Sequence, residues 1–316
     1  MPVPLAAIMT GLLKTTVKAL PHPVLLRLYH AWYLRTAVSK LDRASKLAGT
    51  PLIDQLDLSH LKTSDSVFIL GSGPSINEIS DPCWSFITQH DTLGFHWWPL
   101  HRVVPKMYVF ESLETNSELF PYFMKMFEQR AHDYRHTVKI VSNVEDSDSK
   151  DQLLYAAPEE FKLNLYVGLG VPVIARNVEE LRRGLRFIRK KGGFAPGGSA
   201  HWLFKYGGSV TAMISLALRM GYKRIVLCGI DLGLQEYFYQ NPEFYPESAH
   251  WEFVPRGQPH LTTRRLKYLV PAQEVIWTMD EEILRPMDVE LLVLSKSSTL
   301  YPRVPAVQLS RLWVVS

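Results

Sequence analysis

The feature that most constrains the fold is a short stretch near residue 70, where an apolar run meets a glycine-rich turn. Residues 67–70 are all apolar, which is typical of a strand buried in a parallel sheet. Ser75 precedes Glu78 by three residues, the spacing of a helix-capping box, so we expect a helix from Ser75. Between strand and helix lie Gly71, Ser72, Gly73 and Pro74.

A turn of this kind has two interpretations. Main-chain N–H groups and the positive end of a helix dipole suit an anion, usually a phosphate, and glycine lets the ligand approach the backbone. Residues 71–75 are therefore candidate nucleotide-binding residues. Many α/β proteins use such glycines only to turn the chain, so the motif by itself leaves both interpretations open.

Composition sets broad limits on the class of protein. The chain has 316 residues, of which 47% are hydrophobic, enough for one large α/β domain with additions or two smaller ones. The two cysteines, Cys83 and Cys228, predict no disulfide framework and have no metal-site spacing, which favours a reducing cytoplasmic location. A net charge of +4 is too small to indicate nucleic acid as a partner.

The first fifty residues carry concentrated positive charge. Asp42 is the one acid there, against seven basic residues: Lys14, Lys18, Arg27, Arg35, Lys40, Arg43 and Lys46. Apolar residues recur at helical spacing on both sides of Pro21 and Pro23, so residues 1–60 are predicted as a basic amphipathic extension of two helical stretches. Residues 1–46 would contact an anionic membrane, or pack on the main domain or another subunit. No apolar run reaches the ~20 residues that span a bilayer.

The rest of the chain alternates strands with helices. This order predicts an α/β fold with a Rossmann-like, mostly parallel sheet whose ligand lies beyond the carboxyl ends of the strands. Helices are expected over 178–191 and 209–220. Strands are expected over residues 67–70, 91–95, 106–110, 137–141, 164–167, 224–228 and 289–294.

Residues 232–268 interrupt the alternation. The segment is rich in Tyr, Phe, Pro and His, and a loop of this length is usually functional or disordered. We interpret it as a lid, with residues 61–231 and 269–316 forming the nucleotide-binding α/β domain. The competing interpretation is a surface excursion whose aromatic residues pack locally.

Three segments resemble the Campylobacter-type bacterial sialyltransferases of glycosyltransferase family 42. They are residues 70–79 (Leu-Gly-Ser-Gly-Pro-Ser-Ile-Asn-Glu-Ile), residues 209–231 with Gly-Tyr-Lys and Gly-Ile-Asp, and residues 291–300. The resemblance implies a GT-A-like single domain with a small lid and a metal-independent, inverting transfer from CMP-sialic acid. The sugar nucleotide is then a substrate, with no separate cofactor, and the family tends to form homo-oligomers.

The resemblance also assigns roles to individual residues. It implies a lid histidine as the base that deprotonates the acceptor hydroxyl, and His260 fits by position, with His250 as its competitor. Two lid tyrosines would stabilise the leaving phosphate. Tyr239 matches one of them, and Tyr237 substitutes for the other, whose place is taken by glycine.

Some positions depart from the family pattern. Ser72, His96 and Ser112 stand where the family has asparagines that read the nucleotide and phosphate. Gly208 and Ser209 match the helix start near the donor sugar. With these departures, the resemblance implies sialic acid, another nine-carbon acidic sugar or Kdo as the donor sugar. We expect a glycan or lipid-linked glycan as the acceptor and an enzyme that works at the inner face of the membrane.

Two other functions remain open at this stage. Residues 207–211 and 229–231 also resemble the motility-associated flagellin glycosyltransferases and an archaeal pterin diphosphokinase. In the kinase interpretation Asp231 and Glu111 would hold Mg²⁺. In the transferase interpretation Asp231 mainly caps a turn. A degenerate, non-catalytic, membrane-associated protein is the third possibility.

Overall fold

A seven-stranded, fully parallel sheet forms the centre of the protein. The computed structural model describes residues 21–144, 152–197, 202–233, 236–248, 251, 257–258, 261–263 and 269–307. The strands are ordered β5-β4-β3-β2-β1-β8-β9. They are β1 (Ser66–Leu70), β2 (Asp91–Phe95), β3 (Met107–Glu111), β4 (Val138–Ser142), β5 (Leu165–Val167), β8 (Arg224–Cys228) and β9 (Glu290–Val293).

The α/β fold class and all seven of these strands confirm the predictions from the apolar runs. Strands β1, β2 and β4 are buried along their whole length, as expected for a sheet covered on both faces. The chain runs outward from β1 to β5 and then returns to place β8 on the other side of β1. The order of the strands therefore reverses between β1 and β8, the kind of position where open α/β sheets bind ligands.

Helices cover this sheet. The predicted helices at 178–191 and 209–220 are confirmed as α6 and α7. The α-helices are α1 (His22–Ala48), α2 (Asp81–Ile87), α3 (Phe120–Arg130), α4 (Leu153–Ala156), α5 (Glu159–Lys162), α6 (Val178–Lys190), α7 (Ser209–Arg219) and α8 (Ala272–Met279). None of the helices in the described part of the chain is long and apolar enough to cross a membrane.

A second, two-stranded parallel sheet was not predicted. It pairs β6 (Leu169–Val171) with β7 (Trp202–Phe204). Each strand has three residues, too few for a clear alternating pattern. The pair matters for the site because Lys205 follows β7 directly, and its N–H donates to the carbonyl of Val171 at 3.0 Å.

The second of the two helical stretches predicted for the N-terminal extension is a single long helix. It is α1, which starts at His22, directly after its N-cap Pro21, and runs unbroken for 27 residues. Proline is tolerated in the first turn of a helix because the N–H it lacks has no intrahelical partner there. Residues 1–20 lie outside the described residues, so the helical stretch expected there stays a prediction.

The start of the helix after the glycine-rich turn also differs. Pro74–Glu78 forms a five-residue 3₁₀ helix with Gly73 as its N-cap, and no side chain caps it. The prediction of a helix capped by Ser75 was therefore wrong. The Ser75 hydroxyl donates instead to Asp231 Oδ1 at 2.6 Å, a contact between residues far apart in sequence.

Gly71→Ala is expected to destabilise the protein by roughly 1–3 kcal/mol, because overpacking a tight contact costs about this much. A Cβ at Gly71 would lie 2.3 Å from the Ile230 side chain and 2.7 Å from the carbonyl oxygen of Gly229. Gly233→Ala is the matched control, since no atom of the described residues lies within 4 Å of its added Cβ. Urea unfolding of both variants is the measurement, and equal midpoints would contradict the packing argument.

Candidate functional site

Five polar side chains meet at the carboxyl ends of the strands. His96 follows β2, Glu111 ends β3 and Asn143 follows β4, while Lys205 follows β7 and Ser209 begins α7. We call these five residues the strand-end cluster. The side chains of His96, Glu111 and Lys205 are 28%, 23% and 20% exposed, so a ligand can reach the cluster from solvent.

Glu111 is the centre of this cluster. Its Oε1 atom lies 2.7 Å from Lys205 Nζ and accepts a hydrogen bond of 2.6 Å from the Ser209 hydroxyl. Its Oε2 atom accepts from Asn143 Nδ2 at 3.0 Å. Burial alone would raise the pKa of Glu111, but the hydrogen bonds and positive charges of His96 and Lys205 outweigh it and hold the pKa well below its usual range. Glu111 is therefore a fixed anion.

His96 joins the cluster through one ring nitrogen. His96 Nε2 lies 2.7 Å from Ser209 Oγ and 3.5 Å from Glu111 Oε1. Because the Ser209 hydroxyl hydrogen is directed at Glu111, Ser209 Oγ accepts from Nε2–H. In a serine-hydrolase triad the acid and the serine bind different ring nitrogens and the serine donates to the histidine. This cluster has neither property, so it is not such a triad.

Lys205 and the start of α7 give the cluster its positive side. Lys205 Nζ also donates to Asn143 Oδ1 at 3.0 Å. Ser209 is the first residue of an eleven-residue helix, whose N-terminus carries partial positive charge. Gly208 precedes it with φ of 146°, a conformation that side chains rarely adopt. An ammonium and a helix N-terminus at one place are suited to an anionic ligand.

The backbone after the strands positions these side chains. His96 has φ of 52° and Asn143 has φ of 62°, so both turn sharply away from their strands. Histidine and asparagine are among the residues that adopt this left-handed region most readily. The His96 carbonyl accepts a hydrogen bond from the buried Tyr108 hydroxyl, and the His96 N–H donates to the carbonyl of Val109 at 3.0 Å.

The cavity beside the strand-end cluster is small. Its volume is about 10 Å³, just enough for one water molecule, so a larger ligand would bind at its outer surface.

The glycine-rich turn packs against the end of β8. The N–H groups of Gly71 and Gly73 donate to the carbonyls of Cys228 and Gly229, both at 2.8 Å. The Ser75 N–H donates to Asp231 Oδ2 at 3.0 Å. These three amides bond within the protein, so residues 71–75 do not form the open cradle of amides that the sequence predicted. Their contact with a nucleotide, and that of Ser72 and Pro74, stays a prediction.

Asp231 and Ser112 hold structural contacts in this arrangement. Asp231 accepts both Ser75 bonds and so anchors the turn, as the turn-capping interpretation expected. The Ser112 hydroxyl donates to Gln152 Oε1 at 3.0 Å, and its N–H donates to Ser142 at 2.8 Å. Ser112 therefore lies beside the strand-end cluster without a bond to it in the described structure.

The described part of the 232–268 segment packs over the strand ends. The Phe238 N–H donates to the Ser72 carbonyl at 2.9 Å, and Trp251 lies 6.1 Å from Trp97, centroid to centroid. Phe238 and Trp251 are both buried. This segment therefore covers the turns after β1 and β2, although its action as a mobile lid stays a prediction.

Tyr237 and Tyr239 stack on each other in this segment. Their ring centroids are 5.3 Å apart and the rings are nearly parallel, at 4°. Burial raises the pKa of both phenols, so both remain protonated donors at neutral pH. Tyr239 has no exposed surface, whereas Tyr237 is partly exposed. Tyr239 would therefore reach a phosphate only if the aromatic packing changed.

His260 and His250 lie outside the described residues. The nearby residue Thr262 is described, in the short 3₁₀ turn Leu261–Thr263. An added Cβ on Gly208 would lie 3.8 Å from Thr262 Cγ2, so this turn contacts the start of α7. Thr262 thus lies close to Gly208, the residue before Ser209 of the strand-end cluster.

From the sequence, no role was assigned to Lys205, Gln152 or Asn143. Asn143 and Glu111 carried a usable signal, since both follow apolar runs predicted as strands. Lys205 carried no such signal in the sequence, because β7 was not predicted. Within the described ranges, no group of three or more His, Cys, Asp or Glu side chains is placed to hold a metal ion.

Comparison with known proteins identifies no family for this chain. No family model matches it, and no curated protein matches it. The resemblance to glycosyltransferase family 42 is therefore neither supported nor refuted, and the function has to be argued from the site.

Proposed function

We propose that this protein is a glycosyltransferase that moves an acidic sugar from a CMP-sugar to a glycan or lipid-linked glycan, with inversion and without a metal. The donor sugar is sialic acid, a related nine-carbon acidic sugar or Kdo. The observation that carries the proposal is the strand-end cluster, which places Lys205 and Ser209 beside His96 at the carboxyl ends of a parallel sheet.

The chemistry of such a donor matches the groups in the cluster. A CMP-activated acidic sugar carries a phosphate and a carboxylate, and its departure as CMP leaves negative charge on the phosphate. Lys205 supplies a positive charge and Ser209 begins a helix whose N-terminus carries partial positive charge, and both suit either anion. The fixed anion Glu111 keeps Lys205 in place and orients the Ser209 hydroxyl.

The acceptor hydroxyl needs a base, and we assign this role to His260, with His250 as the competitor. The contact between the Leu261–Thr263 turn and Gly208 supports the choice of His260. His96 is less suited, because its Nε2 atom donates to Ser209. In this proposal His96 holds the phosphate-binding side chains in place, and Tyr237 donates to the leaving phosphate.

A thermal-shift screen with CMP, CDP, UDP, GDP and ATP tests the donor class. Among these nucleotides, CMP is expected to raise the melting temperature of the protein most. A ligand that binds only the folded state raises the free energy of unfolding by mass action, by about 2.7 kcal/mol at a ligand concentration of 100 times Kd. Stabilisation by ATP with Mg²⁺, and none by CMP, would contradict the proposal and favour a kinase.

A further inference from the structure

The outer face of α1 combines exposed apolar side chains with positive charge. Val24, Leu28 and Trp32 are 42%, 58% and 44% exposed, and their four-residue spacing places them on one face of the helix. Arg27 and Arg35 are exposed beside them. Trp32 also lies 6.1 Å from the ring of Tyr29. We call Val24, Arg27, Leu28, Trp32 and Arg35 the α1 outer face.

The opposite face of α1 is already used for packing. Its buried residues are His22, Leu26, His30, Tyr33, Ala37, Leu41 and Ala44. The Tyr33 hydroxyl donates to the carbonyl of Gly170 in β6 at 2.7 Å, and His22 Nε2 lies 2.9 Å from the carbonyl of Ile174. The helix is thus fixed to the α/β domain and cannot rotate to bury its outer face.

The charge of α1 indicates which kind of surface its outer face contacts. Residues 21–48 contain five basic residues and one acid, Asp42, which pairs with Lys46 at 2.7 Å. An anionic bilayer surface offers negative headgroups above an apolar layer, which matches basic residues flanking Leu, Val and Trp on one helix face. Tryptophan is also favoured at the interface of a bilayer.

We propose that the α1 outer face docks the protein on an anionic lipid surface, with the helix axis parallel to the membrane. Apolar side chains enter the headgroup region, while the arginines contact lipid phosphates. This docking does not depend on the transferase proposal, because its readout is lipid binding and not turnover. It also differs from the sequence prediction, since it assigns the contact to one face of one helix whose other face is packed.

Vesicle co-sedimentation of the full chain tests the proposal. The wild-type chain is expected to bind vesicles of phosphatidylcholine with 30% phosphatidylglycerol and not phosphatidylcholine alone. Leu28→Glu, and separately Arg27→Glu/Arg35→Glu, are expected to weaken vesicle binding at least about tenfold. The first variant removes apolar area that would enter the bilayer surface, and the second removes basic residues that contribute to the binding free energy on an anionic surface. The matched controls are Leu163→Glu, at another exposed leucine, and Lys125→Glu/Lys296→Glu, at two exposed lysines elsewhere.

Several results would overturn the proposal. One is that the wild-type chain does not bind anionic vesicles. Another is that both variants of the α1 outer face bind these vesicles as well as their matched controls do. Loss of binding on deletion of residues 1–20, with normal binding by the face variants, would assign the contact to the preceding segment. A dimer that Leu28→Glu converts to a monomer would show that a second copy covers this face. Thermal melts of all variants would establish that they remain folded.

Discussion

Replacing His260 with alanine is expected to lower turnover of a CMP-sugar by about 10²- to 10⁴-fold, the usual contribution of a general base. The physical reason is that an acceptor hydroxyl is a poor nucleophile until a group with a pKa near neutrality removes its proton. Steady-state kinetics with a CMP-sugar donor would measure the change, and a thermal melt would show that the fold is kept.

His250→Ala is the matched variant for this experiment, because both histidines belong to the 232–268 segment. We expect it to lower turnover much less than His260→Ala. The reverse result would move the base to His250. Near-normal turnover in both variants would reject a histidine of this segment as the base.

The second large effect is expected at Lys205. Lys205→Met combined with Glu111→Gln should weaken CMP binding by about 10- to 150-fold, since a hydrogen bond to a charged group contributes about 1.5–3 kcal/mol. The double variant is used because Lys205→Met alone would leave the Glu111 carboxylate without its nearest cation, 2.7 Å away. Isothermal titration with CMP is the measurement.

Glu111→Gln alone is the control for this pair. It keeps Lys205 and removes a nearby negative charge, so CMP is expected to bind as well as to the wild-type chain, or more tightly. If the double variant and the Glu111→Gln variant bind CMP equally, Lys205 does not contact the phosphate. The candidate site would then have to be moved away from β3 and β7.

The large sheet was predictable because each of its strands is indicated by residues that are neighbours in the sequence. Each strand of the large sheet is a short apolar run, and the runs that follow one another in the chain from β1 to β5 also lie side by side. One exception has a clear cause: the three-residue strands β6 and β7 are too short to show a pattern.

The site was only partly predictable because its contacts are not local. His96 and Ser209, both named from the sequence, meet across 113 positions in the chain, and Glu111 bonds Ser209 across 98. Sequence indicated which residues follow strands, but it did not show that Lys205 would neutralise Glu111. Nor did it show that Gly71 and Gly73 are needed for the close contact between the turns after β1 and β8.

The central claim is that the strand-end cluster binds the phosphate of a cytidine nucleotide. A crystal structure of the protein with CMP tests it most directly. The account predicts the phosphate within hydrogen-bond distance of Lys205 Nζ, at the carboxyl ends of β2 and β3. A nucleotide bound elsewhere, or a cluster left empty at saturating CMP, would contradict the account.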